Sequence, residues 1–395
     1  MLLNIFYCKI VNSKKIKEVS QRIHVISFQV PYPADYGGVI DVYYKVKALK
    51  EAGYKVALHC FAYKGRKDSA QLREVADEVY IYKRNTCILN RMLLKPYIVK
   101  SRQSKDLLER LLKDNDPILF EGLHTTHLLS SPLLKNRKKF VRAHNVESDY
   151  YKYLSDATVS MKKKVFFNLE SYRLQQYEKV LTNADVIFAI TEKDKRYFAT
   201  TYPNVTTELL PCFHNGAEDI SKTLTRGSGN YLLYNGNLSV EENLNAVYFL
   251  AERVIPAFPE VKWVIAGGNP PKELYEVVQS MDNVEIVANP TSAEMSKLII
   301  EAAANVLITF QSTGIKLKLI NALYKGAHCI VNDKMIESTG LKDVCMVAHS
   351  DKDLVDTIKI ALSQKMTEEQ LALRNEVLRQ NYDNNENIKI LTKYM

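Results

Sequence analysis

Residues 306–332 read VLITFQSTGIKLKLINALYKGAHCIVN, and this stretch decides the fold. Val306, Leu307, Ile308, Thr309 and Phe310 are β-branched, apolar or aromatic, which predicts a strand. Gln311-Ser312-Thr313-Gly314 then supplies loop and helix-cap chemistry. Ile315, Leu319, Ala322 and Leu323 recur at helical spacing, Gly326 stands where such a helix would end, and His328 to Val331 begin a second strand. Strand, helix and strand at these lengths make half of a parallel βαβ unit. Lys316 and Lys318 fall in the first turn, where the helix dipole disfavours a cation by roughly 0.3–1 kcal/mol. A bound anion reverses that sign, because free backbone N–H groups plus lysine are what a phosphate needs. The ordinary alternative is two solvated lysines on a surface helix.

Outward from this unit the chain runs to 395 residues, too long for one core, and 46% hydrophobic residues suffice for two. No apolar run reaches the roughly 18 residues of a membrane span, and the first residues lack a signal-peptide pattern. Six cysteines without a close CxxC pair read as buried free thiols in a reducing, cytoplasmic compartment. The charge is uneven: residues 1–200 hold 36 Lys+Arg against 21 Asp+Glu, whereas residues 201–395 hold 18 against 24. A basic first half suggests an anionic partner, either a phosphorylated acceptor or a surface of acidic lipid. Nucleic acid is disfavoured, since the lysines form no run with interleaved aromatics.

Arg22 to Phe28 is a buried-strand pattern leading through Gly37-Gly38 into a helix that ends at Gly53, and Lys55 to Phe61 return as a strand. This is the opening of a doubly wound sheet, in which ligands bind at strand ends. Gly37 and Gly38 would let a ligand approach the backbone. Further strands are expected at 79–82, 117–120, 139–142, 185–191 and 209–213. A basic helical region is expected from Asn90 to Leu112, and a long helix from Lys162 to Ala184 burying Tyr172, Gln176, Val180 and Leu181. His144 ends the 139–142 strand in an Arg-x-His-Asn-x-Glu string. His124 and His127 are weaker candidates, and their spacing does not complete a metal site.

A second sheet begins at Ser228 to Tyr234, followed by the Asn235-Gly236-Asn237 loop and, in Ser239 to Glu242, a capping-box pattern. Strands are expected at 263–266, 284–287 and 343–347, with Ala288-Asn289 following the second of them. Helices are expected at 274–281, 295–302, 354–362 and 368–381.

From residue 22 onward the chain resembles the retaining, nucleotide-sugar-dependent glycosyltransferases of family four, of GT-B architecture. The match is to the pattern Gly-Ile-Lys-x-Lys-x-x-(Glu)-Ala-x-x-x-Gly, present as Gly314, Ile315, Lys316, Lys318, Asn321, Ala322 and Gly326. The resemblance implies two Rossmann-like α/β domains facing each other across a cleft, an acceptor-side domain at 22–218 and a donor domain at 219–382. Residues 383–395 would cross back onto the first domain. His144 would lie near the transferred sugar, with Gly37 and Gly38 over the donor diphosphate. Asn235, Gly236 and Asn237 would form the donor-domain glycine loop, Ala288 and Asn289 would meet the base, and Thr313, Gly314, Ile315, Lys316, Lys318 and Asn321 would hold the diphosphate and ribose. The pattern is departed from at four places. Thr313 and Asn321 stand where the family has paired glutamates, and Asn237 and Glu242 stand where it has a diphosphate-binding arginine and lysine.

The implied activity is metal-independent, cofactor-free transfer of a hexose from a UDP- or GDP-sugar to a glycan or lipid-linked acceptor, in cell-surface polysaccharide or glycoconjugate synthesis. The implied location is cytoplasmic, peripheral to the membrane. Two readings compete with it: a nucleotide-sugar-binding scaffold without turnover, which the missing glutamates favour, and a nucleotide-sugar epimerase on the same fold.

Overall fold

The structure, a computed structural model, describes residues 21–63, 65–87, 95–158, 160–216, 224–311 and 316–395. Thr313, Gly314, Ile315 and the expected boundary near 218 lie outside the described residues.

Seven parallel strands make the first sheet: β1 (Arg22–Ser27), β2 (Lys55–Ala62), β3 (Glu78–Lys83), β4 (Ile118–Glu121), β5 (Lys139–Ala143), β6 (Val186–Ala189) and β7 (Thr206–Leu209). Their order is β3-β2-β1-β4-β5-β6-β7. Six more make the second: β8 (Tyr231–Asn235), β9 (Lys262–Gly267), β10 (Val284–Ala288), β11 (Ala304–Leu307), β12 (His328–Asn332) and β13 (Met346–Ala348), ordered β10-β9-β8-β11-β12-β13. Every pairing is parallel; His24 lies beside Ile118 across one switch point, and Leu232 beside Ala304 across the other. Both sheets reverse their winding beside the first strand, at β1/β4 and β8/β11, and the crevices outside those strand ends are where doubly wound folds bind ligands. The central strands are buried on both faces, as their continuous apolar sequences require.

Helices cover both sheets. The helix Gly37–Glu51 buries Val39, Val42, Val46 and Leu49 with Val25 and Leu58. The helix Leu317–Lys325 buries Leu319, Ile320 and Leu323. Its backbone turns extended at Gly326, a glycine because a Cβ there would stand 2.4 Å from Asn305 Nδ2. The two units share one apolar cluster, in which Ile190 and Cys212 of the first pack with Leu317, Ile320 and Tyr382 of the second. The last helix, Asn384–Thr392, puts Ile388 and Leu391 into the core of the first unit, and Lys138 Nζ donates to Tyr394 O at 3.0 Å.

Five sequence expectations are corrected. The described part of the basic 90–112 region is two short helices, Tyr97–Lys100 and Lys105–Leu111, because Ser104 accepts from Leu107 N and starts the second afresh. The long helix stops at Tyr177 and continues as a 3-10 segment, Glu178–Asn183; it buries Glu170, Arg173 and Leu174, leaving Tyr172 and Gln176 exposed. The strand expected at 209–213 lies earlier, at β7, and the one at 343–347 lies later, at β13, after a 3-10 turn at Lys342–Val344. Ser239 to Glu242 form no capping box: helix Glu241–Arg253 starts after Val240 without a side-chain cap, while Ser239 N and Oγ donate to Asn237 Oδ1 at 3.0 and 2.8 Å.

Candidate active site

The ends of β1, β4 and β5 build one wall of the cleft. Phe28 follows β1, and its ring lies 5.5 Å edge-on from His144 and 5.4 Å from His124. Gly38 is glycine because a Cβ there would meet that ring at 2.8 Å, whereas a side chain at Gly37 would reach Leu317 Cδ1 of the opposite unit at 3.7 Å. The glycine pair therefore sits where helix Gly37–Glu51 points its free N–H groups toward the start of helix Leu317–Lys325.

Beneath His144 lies a buried charge network that the sequence did not announce. His144 Nε2 is 3.0 Å from Glu121 Oε2, and its Nδ1 is 3.7 Å from Asp41 Oδ2. Lys45 Nζ donates to Asp41 Oδ2 at 2.9 Å and to Glu121 Oε1 and Oε2 at 2.8 and 3.0 Å. Arg142 Nε and an Arg142 Nη donate to the Asp41 carboxylate at 3.1 Å each, and Phe213 N adds a third donor at 2.8 Å. Asp41, Lys45, Glu121 and Arg142 are all buried. Burial pushes the Asp41 and Glu121 carboxyls up, but Arg142 and Lys45 beside Asp41, and Lys45 and His144 beside Glu121, bring both below the usual range. Asp41, Glu121 and His144 are close enough together to hold a metal ion. The Lys45 ammonium already bridges both carboxylates, so this donor set is a closed ion-pair cluster that fixes the His144 ring. Its sequence traces were the i,i+4 spacing of Asp41 and Lys45 and the Arg142-x-His144 pair in the string that ends the 139–142 strand.

Glu147 begins the helix Glu147–Ala157 and is buried with its Oε1 3.8 Å from His124 Nδ1; neither atom has a hydrogen-bond partner among the described residues. Burial pushes the Glu147 carboxyl up to about 8, against the pull of Arg102. Burial and Arg102 together hold His124 well below its ordinary value. At neutral pH both are largely uncharged, a protonated acid facing an imidazole.

The other wall is built at the ends of β8 and β11. Lys316 occupies the N-cap of helix Leu317–Lys325 in a non-helical conformation, so it and Lys318 need not diverge by the regular helical angle. Lys316 Nζ pairs with Glu242 Oε1 at 2.9 Å. The same carboxylate accepts from Thr309 Oγ1 and Gln311 Nε2. Lys318 Nζ donates to Asn243 Oδ1 at 2.9 Å and Tyr234 Oη at 3.1 Å, and lies 4.7 Å from the Tyr234 ring centroid. Burial lowers its amine to about 7, with Glu242 opposing and Lys316 assisting. Glu242, which stands where the resemblance implies a lysine, is thus the resting counter-ion of Lys316.

Gly236 and Gly267 stack backbone on backbone, since a Cβ on Gly267 would fall 1.7 Å from Gly236 O. Asn237 caps its own loop, accepting from Ser239 and, through its carbonyl, from Asn243 Nδ2 at 2.9 Å. Asn289 is left-handed at φ 52° and accepts from Asn269 N at 2.7 Å, leaving Ala288 exposed at the end of β10. Three amide oxygens on this wall, Asn235 Oδ1, Gln311 Oε1 and Asn321 Oδ1, are buried without a partner among the described residues. Unmet buried acceptors cost free energy unless a ligand supplies donors.

No protein-family model matches the chain. It is 26% identical over 338 residues to an uncharacterized 44.6 kDa protein in a cps region of Klebsiella pneumoniae, covering 81% of this chain and 84% of that protein. Its fold is similar to that of TarM, with a TM-score of 0.68 at 11% identity over 95% of this chain and 99% of that one. It is also similar to the sucrose-phosphate synthase of Thermosynechococcus elongatus, with a TM-score of 0.66 at 15% identity over 94% and 98%. A third likeness is to an E. coli structure described as trehalose-6-phosphate bound with UDP-2-fluoro glucose, with a TM-score of 0.66 at 11% identity over 94% and 98%. At these identities the likeness shows the fold: two parallel α/β units in the GT-B arrangement.

Proposed function

We propose that the chain is a retaining glycosyltransferase that moves a hexose from a nucleoside-diphosphate sugar to a glycan or lipid-linked acceptor, in polysaccharide assembly. The observation that carries this reading is the pair Lys316 and Lys318 at the opening of a helix beside the β8/β11 switch point, flanked by unmet amide oxygens. A diphosphate would take Lys316 from Glu242, and would raise the Lys318 amine back toward full charge. Asn235, Gln311 and Asn321 offer acceptors to ribose or base donors. The relative in a cps region, that is, a capsular-polysaccharide region, supports the polysaccharide context. The GT-B neighbour described with a UDP-sugar analogue supports the donor class.

In this reading the protein contributes positioning and charge stabilisation. Lys316 and Lys318 stabilise the departing diphosphate, which, as in the family it resembles, takes the acceptor proton. The His144 edge lies at the sugar end of the cleft, oriented by Glu121 and Asp41 rather than acting as a free base. A second reading, a sugar-nucleotide scaffold, is favoured by one feature: Glu242 neutralises the lysine that a donor needs. Incubation with a panel of UDP- and GDP-sugars separates them. Hydrolysis or transfer supports the transferase, binding without either supports the scaffold, and a changed sugar on intact nucleotide supports an epimerase.

A further inference from the structure

The helix Met161–Tyr177 is apolar on two sides. Its inner side is already satisfied, with Phe166 packing 6.4 Å from Tyr97 and Phe167 packing 6.0 Å from Tyr151, ring centroid to centroid. Its outer side carries Met161, Val165, Leu169 and Tyr172, exposed by 71%, 64%, 44% and 62%. At 100° per residue these four fall within a sector of about 80°, running about 16 Å along the helix. Lys162 and Lys164 flank the sector, and Lys163 is exposed at the same end. The acidic residue of this helix, Glu170, is buried against the backbone of Ile98, and the exposed carboxylate beside the stripe, Asp156 of the preceding helix, is paired with Lys152 at 3.3 Å, so the outward face keeps the charge of its lysines. The helix is joined to Glu147–Ala157, which follows the His144 loop; burial chiefly, and then nearby carboxylates that include Glu242, raise the Tyr150 and Tyr153 hydroxyls, which sets these rings beside the cleft.

We infer that this face docks the protein on an anionic lipid bilayer, with the stripe in the interface, the lysines at the headgroups, and the cleft mouth beside the membrane. Charge complementarity selects this occupant, because a narrow apolar stripe with Lys162, Lys163 and Lys164 at its N-terminal end and neutral Asn168 and Gln176 along the rest matches acyl chains beneath acidic headgroups. No helix among the described residues is long and apolar enough to cross a membrane, so the contact is interfacial. The inference deepens the transferase reading by giving a lipid-linked acceptor its route to the cleft, and rests on that reading for its role.

The experiment is co-sedimentation of the full chain with vesicles of phosphatidylcholine alone, and of phosphatidylcholine with about one-third phosphatidylglycerol. The expected result is binding to the anionic vesicles that weakens as salt rises and the screening length shortens. Val165→Asp with Leu169→Asp is expected to cut that partition by at least ~10-fold. Replacing Lys162, Lys163 and Lys164 with Ala is expected to cost on the order of 100-fold on anionic vesicles only. Binding of UDP- and GDP-sugars in solution, measured on the same samples, is expected to be unchanged in both variants. Partition that is equal on the two vesicle types, absent, or unaffected by either variant overturns the inference. So does a dimer that dissociates in the aspartate variant, which reassigns the face to self-association. Failure of the transferase reading is read separately, as loss of sugar-nucleotide binding by the wild type.

Discussion

Burial displaces the Lys318 amine to about 7 and the Glu147 carboxyl to about 8, and each gives a test with a definite sign. Lys318 sits near 7 because it is buried. A diphosphate would raise it, so binding takes up protons, and affinity declines as pH rises from about 7 toward the bound-state value. Calorimetry at pH 7.5–8 in two buffers of different ionisation enthalpy is expected to show net proton uptake that Lys318→Met abolishes. Glu147 has its carboxyl raised to about 8 by burial, above its unfolded value. Its contribution to stability is therefore complete below the unfolded pKa and is lost as pH rises through about 8. Denaturation midpoints of wild type and Glu147→Gln, measured from pH 5 to 8.5, are expected to diverge upward, the variant gaining relative stability at the alkaline end. Parallel curves would mean that Glu147 is already ionised in the fold. Lys316 and Lys318 were legible as an anomaly of charge in a helix's first turn. Glu242 was not, since its partners Thr309, Gln311 and Lys316 are more than sixty residues away and its local string imitates a capping box. Tertiary ion pairing outweighed a local cap worth about 1 kcal/mol.

Elements were read best where periodicity is strong and both faces of a strand are buried, as in β1, β4 and β9. They were read worst where polar groups are buried. In helix Met161–Tyr177 the inward positions include Glu170 and Arg173, so an apolar stripe drawn from sequence picked the outward Tyr172 instead. The network of Asp41, Lys45, Glu121, Arg142 and His144 joins one helix to two strands and a loop, and nothing short of the sheet order brings its members together. Removing one member leaves another buried and unpaired. Lys45→Met is therefore expected to destabilise the first unit by roughly 3–5 kcal/mol, measured by urea unfolding. A change under about 1 kcal/mol would show the cluster to be water-relaxed rather than closed. The terminal helix gives a packing test: Leu391→Ala, which empties a fully buried site in the first unit, is expected to cost about 2–5 kcal/mol in the same assay.

At the scale of the whole molecule, two doubly wound sheets bring their switch points to one cleft, and Gly37 meets Leu317 across it. In the proposed reading the basic first unit would supply an acceptor wall and the second a phosphate-binding helix start, and the uneven charge of the sequence is what suggested an anionic partner for the first. The direct test is a set of binding isotherms for UDP- and GDP-sugars with wild type, Lys316→Ala and Glu242→Gln, with circular dichroism to confirm folding. Loss of a charge-assisted contact is expected to weaken Lys316→Ala by roughly 1.5–3 kcal/mol, or about one to two decades in Kd, while Glu242→Gln binds more tightly by releasing Lys316. Affinity unchanged in both folded variants, or no binding of any sugar nucleotide by the wild type, contradicts a donor diphosphate at this helix.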